Sequence, residues 1–276
     1  MEVSLPVTLA VLGAALLHAT WNALVRASAD KQLDAIANSA GSGAISLAIA
    51  VWLPAPAPQS LPWIAASVAV HILYYRFLAG AYRWGELSYT YPIMRGGGPM
   101  IVAVSGTLVF GEVLGASHWA GAALVCGGIL ALAHGAHERR ATAFAVANAL
   151  VIASYTLIDA TGARASGAPI SYALWLCVGN GMMNVAIGAG LRRAELPAYL
   201  ARRWKRALLG GACSMGAYSI ALWAMTRAPV ALVAVLRETS VIFALLLGTL
   251  FLGEKMTRRR LAATGAVLAG LVVLKL

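Results

Sequence analysis

Residues 94–112 read MRGGGPMIVAVSGTLVFGE, and residues 236–254 read LRETSVIFALLLGTLFLGE. Laid over each other without a gap, they share Arg95 with Arg237, Gly106-Thr107-Leu108 with Gly248-Thr249-Leu250, and Gly111-Glu112 with Gly253-Glu254. Every pair is separated by the same 142 residues. In so apolar a background, an arginine and a Gly-Glu held at one offset mark an internal repeat. The halves divide at about 1–137 and 138–276.

Working outward, hydrophobic residues make up 61% of the 276 positions and charged residues 11%, against about 25% charged in an average soluble domain. Such a chain lacks the polar surface that water requires, whereas a bilayer is itself the solvent for apolar faces. Spans of about 20 residues joined by short loops predict ten helices, near 4–25, 34–53, 61–81, 89–110, 118–136, 143–163, 170–190, 207–226, 229–251 and 260–275. The fold class is therefore all-α integral membrane. The apolar stretch from Leu5 reads as a first transmembrane helix and not a signal peptide, because Glu2 stands where positive charge belongs. The stretch 192–206, the longest polar one, reads as an amphipathic loop.

Five helices per half is an odd number, so the second copy must enter the membrane upside down. The ten helices then form two inverted five-helix repeats, an arrangement typical of alternating-access transporters. Charge agrees: Gly111-Glu112 opens a loop without Lys or Arg, while Gly253-Glu254 opens one carrying Lys255, Arg258, Arg259 and Arg260. Loops after odd-numbered helices hold nearly all the basic residues, and those after even-numbered helices hold Arg164 and Arg227. The positive-inside rule places the odd loops in the cytoplasm and both termini outside a multi-pass inner-membrane protein. The net charge of +11 is thus a topology signal. No continuous basic face or base-stacking platform accompanies it, so nucleic acid is not an expected partner. Cys126, Cys177 and Cys213 lie singly in apolar runs and have no metal-ligand spacing.

The chain resembles the drug/metabolite transporter superfamily, in particular its ten-helix EamA-type members. His18-Ala19-Thr20-Trp21-Asn22, the two Arg…Gly-Thr-Leu…Gly-Glu copies, and the glycines of the closing helices (Gly121, Gly127-Gly128; Gly265, Gly270) carry the likeness. The resemblance implies a basket in which helices one, three, four, six, eight and nine line a central cavity, with five and ten peripheral. It also implies export or exchange of small metabolites, amino acids including aromatic ones foremost.

Ionisable residues inside spans are functional candidates, since each costs roughly 2.5–3.5 kcal/mol or more at a helix centre. Arg76, Arg95, Asp159, Arg237 and Glu238 qualify. Arg95 and Arg237, equivalent in the repeat, suit bidentate capture of a carboxylate or phosphonate; the alternative is an internal ion pair that locks the bundle. Asp159 and Glu238, read as the only acids within spans, are candidates for coupling or gating. Gly96, Gly97, Gly98 and Pro99 predict a kinked or unwound helix beside Arg95, with a hinge or close helix contact as the alternative. Polar and aromatic stripes at helical spacing add Trp21, Asn22, His71, Tyr75, Tyr91, Tyr155 and Tyr218 as substrate-binding candidates. Tyr82, Tyr89, Trp63 and Trp119 suit an interfacial belt.

No His-Glu-x-x-His or Gly-x-Ser-x-Gly occurs, so an intramembrane enzyme is the weaker reading, and no catalytic residue, cofactor or metal is expected. The reading is a secondary transporter of small metabolites, with amino acids ahead of other zwitterions such as phosphonates. Small-residue ridges (Ala123 and Gly127; Ala266 and Gly270) read as packing within one chain, hence a monomer in the lipid bilayer.

Overall fold

The computed structural model describes residues 3–252 and 256–274. They form α1 (Leu5–Arg26), α2 (Lys31–Ala50), α3 (Leu61–Trp84), α4 (Leu87–Val109), α5 (Ala116–Leu130), α6 (Arg139–Ala165), α7 (Pro169–Leu191), α8 (Leu196–Met225), α9 (Val230–Arg237), α10 (Ser240–Leu252) and α11 (Arg258–Val273). A 3₁₀ turn at Pro58–Ser60 follows the proline-rich connection after α2. Among the described residues there is no β-strand, only an isolated bridge between Gly85 and His137. α9 and α10 are pieces of one apolar stretch, Val230–Phe251, so the helices form ten stretches, of which seven are long and apolar enough to cross a membrane. Trp52, Leu108, Val113, Leu250 and Phe251 stand largely exposed, which suits hydrocarbon better than water. The second Gly-Glu copy, Gly253-Glu254, and Lys255 lie outside the described residues.

The two halves interleave. α2 packs on α8, and α3 on α7; α3 packs on α6, and α8 on α1; α4 packs on α6, and α9 with α10 on α1. α2 meets α7, and α5 meets α11. Exchanging the halves, with α9 and α10 taken together as the partner of α4, maps each pairing onto another or onto itself.

Glycine permits the closest of these approaches, because backbones meet where no Cβ intervenes. A Cβ on Gly41 would strike the backbone of Ala207 in α8, and one on Gly211 would strike the backbone of α2 at Gly41 and Ser42. On the other side of α2, a Cβ on Gly43 would come within 3.2 Å of Gly181 in α7. α5 and α11 join through Gly121, Gly128, Ala266 and Gly270, while Gly127 faces open space.

Three expectations are corrected. First, 196–206 is not a loop: α8 begins at Leu196, with Pro197 in its first turn. Leu196, Tyr199 and Leu200, at helical spacing, pack on Leu33 and Ile36, an apolar stripe masked by the intervening arginines. Second, α4 runs unbroken through Gly96–Pro99. Its glycines are contact points: a Cβ on Gly96 would lie 2.8 Å from the Cys126 carbonyl oxygen in α5, and one on Gly98 would lie 2.9 Å from Ile152 in α6. The break falls in the second copy, between Arg237 and Ser240. There i→i+3 bonds from the amides of Glu238 to Val235 (3.0 Å) and Thr239 to Leu236 (3.1 Å) tighten the turn. Third, Asp159 and Glu238 are not the only acids inside the helices, since Asp34 lies within α2. Asp34 and Glu112 are also buried, Asp34 beside Arg206 (3.3 Å) and Glu112 beside Arg164 (3.3 Å).

Connections after α1, α3, α5 and α7 and the start of α11 gather at one face, called here the odd face, and those after α2, α4, α6 and α8 at the opposite, even face. On the odd face Arg192 ties the α1–α2 corner to the α7–α8 corner, through Asp30 at 2.7 Å and Glu195 at 2.6 Å. Separately, the α3–α4 corner is stitched to the α5–α6 connection by Glu86 N–H to the Ala136 carbonyl (3.2 Å) and Glu138 N–H to the Trp84 carbonyl (3.0 Å). Between these two packages runs a cleft of about 590 Å³, lined by Lys31 on one side and Tyr82, Arg83, Gly85, Glu86 and Ala136 on the other.

The Leu33 amide, then Arg192, hold the Asp30 carboxyl below its ordinary range, and Arg192 does the same for Glu195. Groups whose folded pKa is depressed stabilise the fold above the unfolded pKa and lose that contribution as pH falls through the folded value. The gap in thermal midpoint between wild type and Arg192→Ala is therefore expected to be open at neutral pH and to close as acid neutralises both carboxylates; a gap independent of pH would contradict the ion-pair account. Gly41→Val should destabilise the detergent-purified protein by about 1–3 kcal/mol through overpacking against α8. Gly13→Ala, whose Cβ meets nothing within 4 Å, should leave the unfolding midpoint near that of wild type.

Candidate functional site

The repeat arginines converge at the centre of the bundle. Arg95 on α4 and Arg237 at the end of α9 both border a cavity of about 20 Å³, with Glu238, Ala234, Pro99, Val102, Ile152, Tyr155 and Thr156. Helices four, six and nine thus line it directly. A space of that size holds about one water, so a metabolite enters only if helices move apart.

Arg95 donates to Glu238 Oε1 at 3.0 Å and to Ser240 Oγ at 3.4 Å. Both side chains are nearly buried, 12% and 5% exposed. Glu238 is therefore the counter-ion of Arg95 across the halves, and not of its neighbour Arg237. Arg237 lies with its guanidinium 5.5 Å from the centre of the Tyr218 ring. Two polar atoms at the pair, Arg95 Nε and Glu238 Oε2, are buried without a hydrogen-bond partner, a costly state that a ligand with a donor and an acceptor would relieve.

Asp159 is fully buried. It accepts from Tyr172 OH at 3.2 Å and from Tyr218 OH, so phenols hold it. Tyr218 thereby joins Asp159 and Arg237 in one chain of contacts. Tyr155 stacks on His71, ring centres 4.4 Å apart, and His71 Nδ1 pairs with the Ser67 carbonyl at 2.8 Å. Tyr91 lies within electrostatic reach of Arg95 and Glu238.

Other candidates sit elsewhere. Tyr75 turns toward α7, where Asn184 donates to its hydroxyl at 3.3 Å. Asn22 donates to the His18 carbonyl of its own helix at 2.8 Å, and the Trp21 indole donates to His18 at 3.3 Å. Trp21 and Asn22 do not border the cavity; His18, from the same motif, does lie within electrostatic reach of Arg95 and Arg237. Of the four residues Gly96–Pro99, Pro99 alone touches the cavity. Tyr82 lines the odd-face cleft.

Some participants went unread. Tyr74 meets Tyr155 edge-on at 6.1 Å, one residue from the Tyr75 that the stripe favoured. Tyr172 and Ser240 are neutral and carried no signal. Glu112 and Arg164 had one: they are charges at span ends on a face that otherwise has few.

The model of the EamA-like transporter family matches residues 139–276, half of the chain. This protein belongs to the EamA-like transporter family. It is accordingly a multi-pass membrane protein of the drug/metabolite transporter superfamily, and a transporter of small molecules. A solved crystal structure superposes on this EamA-like chain with a TM-score of 0.74 at 20% identity, over 97% of this chain and 96% of the other; the likeness concerns the fold alone. No curated protein matches the sequence. Among the described residues, no group of His, Cys, Asp and Glu is placed to hold a metal ion.

Removing one partner of a buried ion pair strands the other. Arg95→Ala is therefore expected to cost about 3–5 kcal/mol of stability, read from unfolding in detergent. Arg95→Met combined with Glu238→Leu should recover most of that loss. Equal loss in the double variant would show that the pair is not what the stability depends on.

Proposed function

We propose that the chain moves small zwitterionic metabolites, amino acids including aromatic ones first among them, across the cytoplasmic membrane by alternating access. The observation that carries this reading is the Arg95–Glu238 pair at the cavity, with Arg237 and an aromatic wall beside it. A carboxylate entering there competes with Glu238 for the guanidinium fork. An ammonium entering with it takes over Glu238. The exchange leaves every charge paired, which a ligand of one sign alone would not achieve. Tyr155, backed by His71 and Tyr74, offers a surface on which an aromatic side chain packs. Asp159 and Glu238 are the carboxylates available for coupling or gating.

The helix pairings that survive exchange of the halves support two five-helix repeats, 1–137 and 138–276, making ten crossings in inverted orientation. The basic residues of the odd connections support placing that face in the cytoplasm of an inner-membrane protein, with both termini outside. The glycine-mediated contact of α5 with α11 inside one chain supports a monomer.

The test is uptake by proteoliposomes of labelled amino acids, by wild type and by Arg95→Lys, which keeps the ion pair but loses the fork. Saturable uptake of aromatic or neutral amino acids is expected, with KM raised roughly ten- to a hundredfold in the variant, as for loss of one charge-assisted hydrogen bond. Unchanged KM would make Arg95 structural. Uptake of phosphonates and of no amino acid would move the substrate class to that alternative.

A further inference from the structure

The even face is closed by one carboxylate. Glu112, in the connection between α4 and α5, accepts from the amides of Val230 (2.7 Å) and Ala231 (3.2 Å), the first two residues of α9. It also accepts from Arg164 at the end of α6, at 3.3 Å. Arg164 in turn donates through Nε to the Met225 carbonyl at the end of α8, at 3.0 Å, and lies 4.6 Å from the ring of Phe110. One ion pair, its carboxylate buried and its guanidinium partly exposed, thus joins the ends of α4, α6 and α8 to the start of α9. The α2–α3 connection joins the same face through Ala57 N–H to the Ser166 carbonyl at 3.0 Å.

The same carboxylate reaches the transport site through α9. That helix is eight residues long, about 12 Å at 1.5 Å per residue, and Val230 to Leu236 are all buried. Glu112 holds one end of it. Arg237 and Glu238, at the other end, border the central cavity. Beyond Glu238 the tightened turn separates α9 from α10 and provides a hinge. A short rigid rod, gripped at the even face and carrying two site charges at its far end, cannot shift at one end alone. On the odd face, by contrast, the two packages are parted by the wide cleft.

We infer that Glu112 and Arg164 form the latch that closes the even face, and that α9 couples this latch to the Arg95–Glu238 pair. Ligand that separates Arg95 from Glu238 frees the far end of α9, which loosens its grip on Glu112. By linkage, loosening the latch also changes ligand affinity at the site. The inference rests on the alternating-access reading above.

The test needs no knowledge of the substrate. Cys126, Cys177 and Cys213 are replaced by Ser, and Ala234→Cys provides a thiol at the cavity. A membrane-impermeant thiol reagent is applied to right-side-out and to inside-out vesicles. Marker cysteines at Ala116 (even face) and Glu138 (odd face) identify which side the reagent meets. Labelling of the cavity thiol from the even side is expected to be slow with the latch intact, and to accelerate roughly tenfold, as for a typical coupling energy, in Glu112→Gln and, independently, in Arg164→Ala. If the thiol reacts from the odd side but neither substitution changes its even-side rate, the latch is refuted and the transporter reading stands. If it reacts from neither side in any of these folded proteins, the cavity is not a passage, and both readings fail.

Discussion

A charge cannot sit unpaired in an apolar interior, and the core of this protein is arranged around the consequence for Arg95. Its counter-ion comes from the other half of the chain, at 3.0 Å. In the gapless overlay of the two copies, Glu238, Thr239 and Ser240 occupy the positions of Gly96, Gly97 and Gly98. The first copy spends those positions on close approach, admitting α5 and α6 against an unbroken α4. The second spends them on polar groups, breaks its helix there, and delivers both the carboxylate and the serine hydroxyl that Arg95 uses. Positions matched by the overlay are thus complementary and not alike. Asp159 follows the same rule by another route, with two phenols instead of a cation.

Because the ion pair crosses between halves, neither half is self-sufficient at its centre. The glycine seams that set α2 against both α7 and α8 do the same at the periphery, interleaving helices from the two copies. What remains separable is a different division, visible at the odd face, where the Arg192 clamp and the α3–α4 stitch belong to two packages with a cleft between them. The even face ties across the corresponding line through Glu112 and Arg164. The bundle is thus tied at one face and parted at the other, and the small cavity at the ion pair lies at the far end of α9 from that tie.

Much of this was legible in the residues. The apolar runs forced helices, because in lipid every backbone amide must bond within its own segment. The repeat offset singled out Arg95 and Arg237, and burial cost singled out Asp159 and Glu238; Arg95, Arg237 and Glu238 border the central cavity, and Asp159 is linked to Arg237 through Tyr218. Periodicity was less reliable for orientation. It favoured Tyr75 over Tyr74, since a helical stripe is broad enough to include two neighbours and only the packing of α3 between α6 and α7 decides that Tyr74 meets Tyr155 of the cavity wall while Tyr75 meets Asn184. It also took the start of α8 for a loop, because arginines on the outer face hid the apolar stripe beneath.

The sequence by itself determined the helical, membrane-spanning class and the ionisable residues that had to be paired, for these follow from composition and solvation cost, which are properties of residues taken locally. Which charge pairs with which was decided only by the tertiary structure. Nothing near Arg95 in the chain points to Glu238, and nothing near Glu112 points to the amides of α9. Such partners are set by how helices distant in sequence pack, and the packing turns on where a missing Cβ lets two backbones approach.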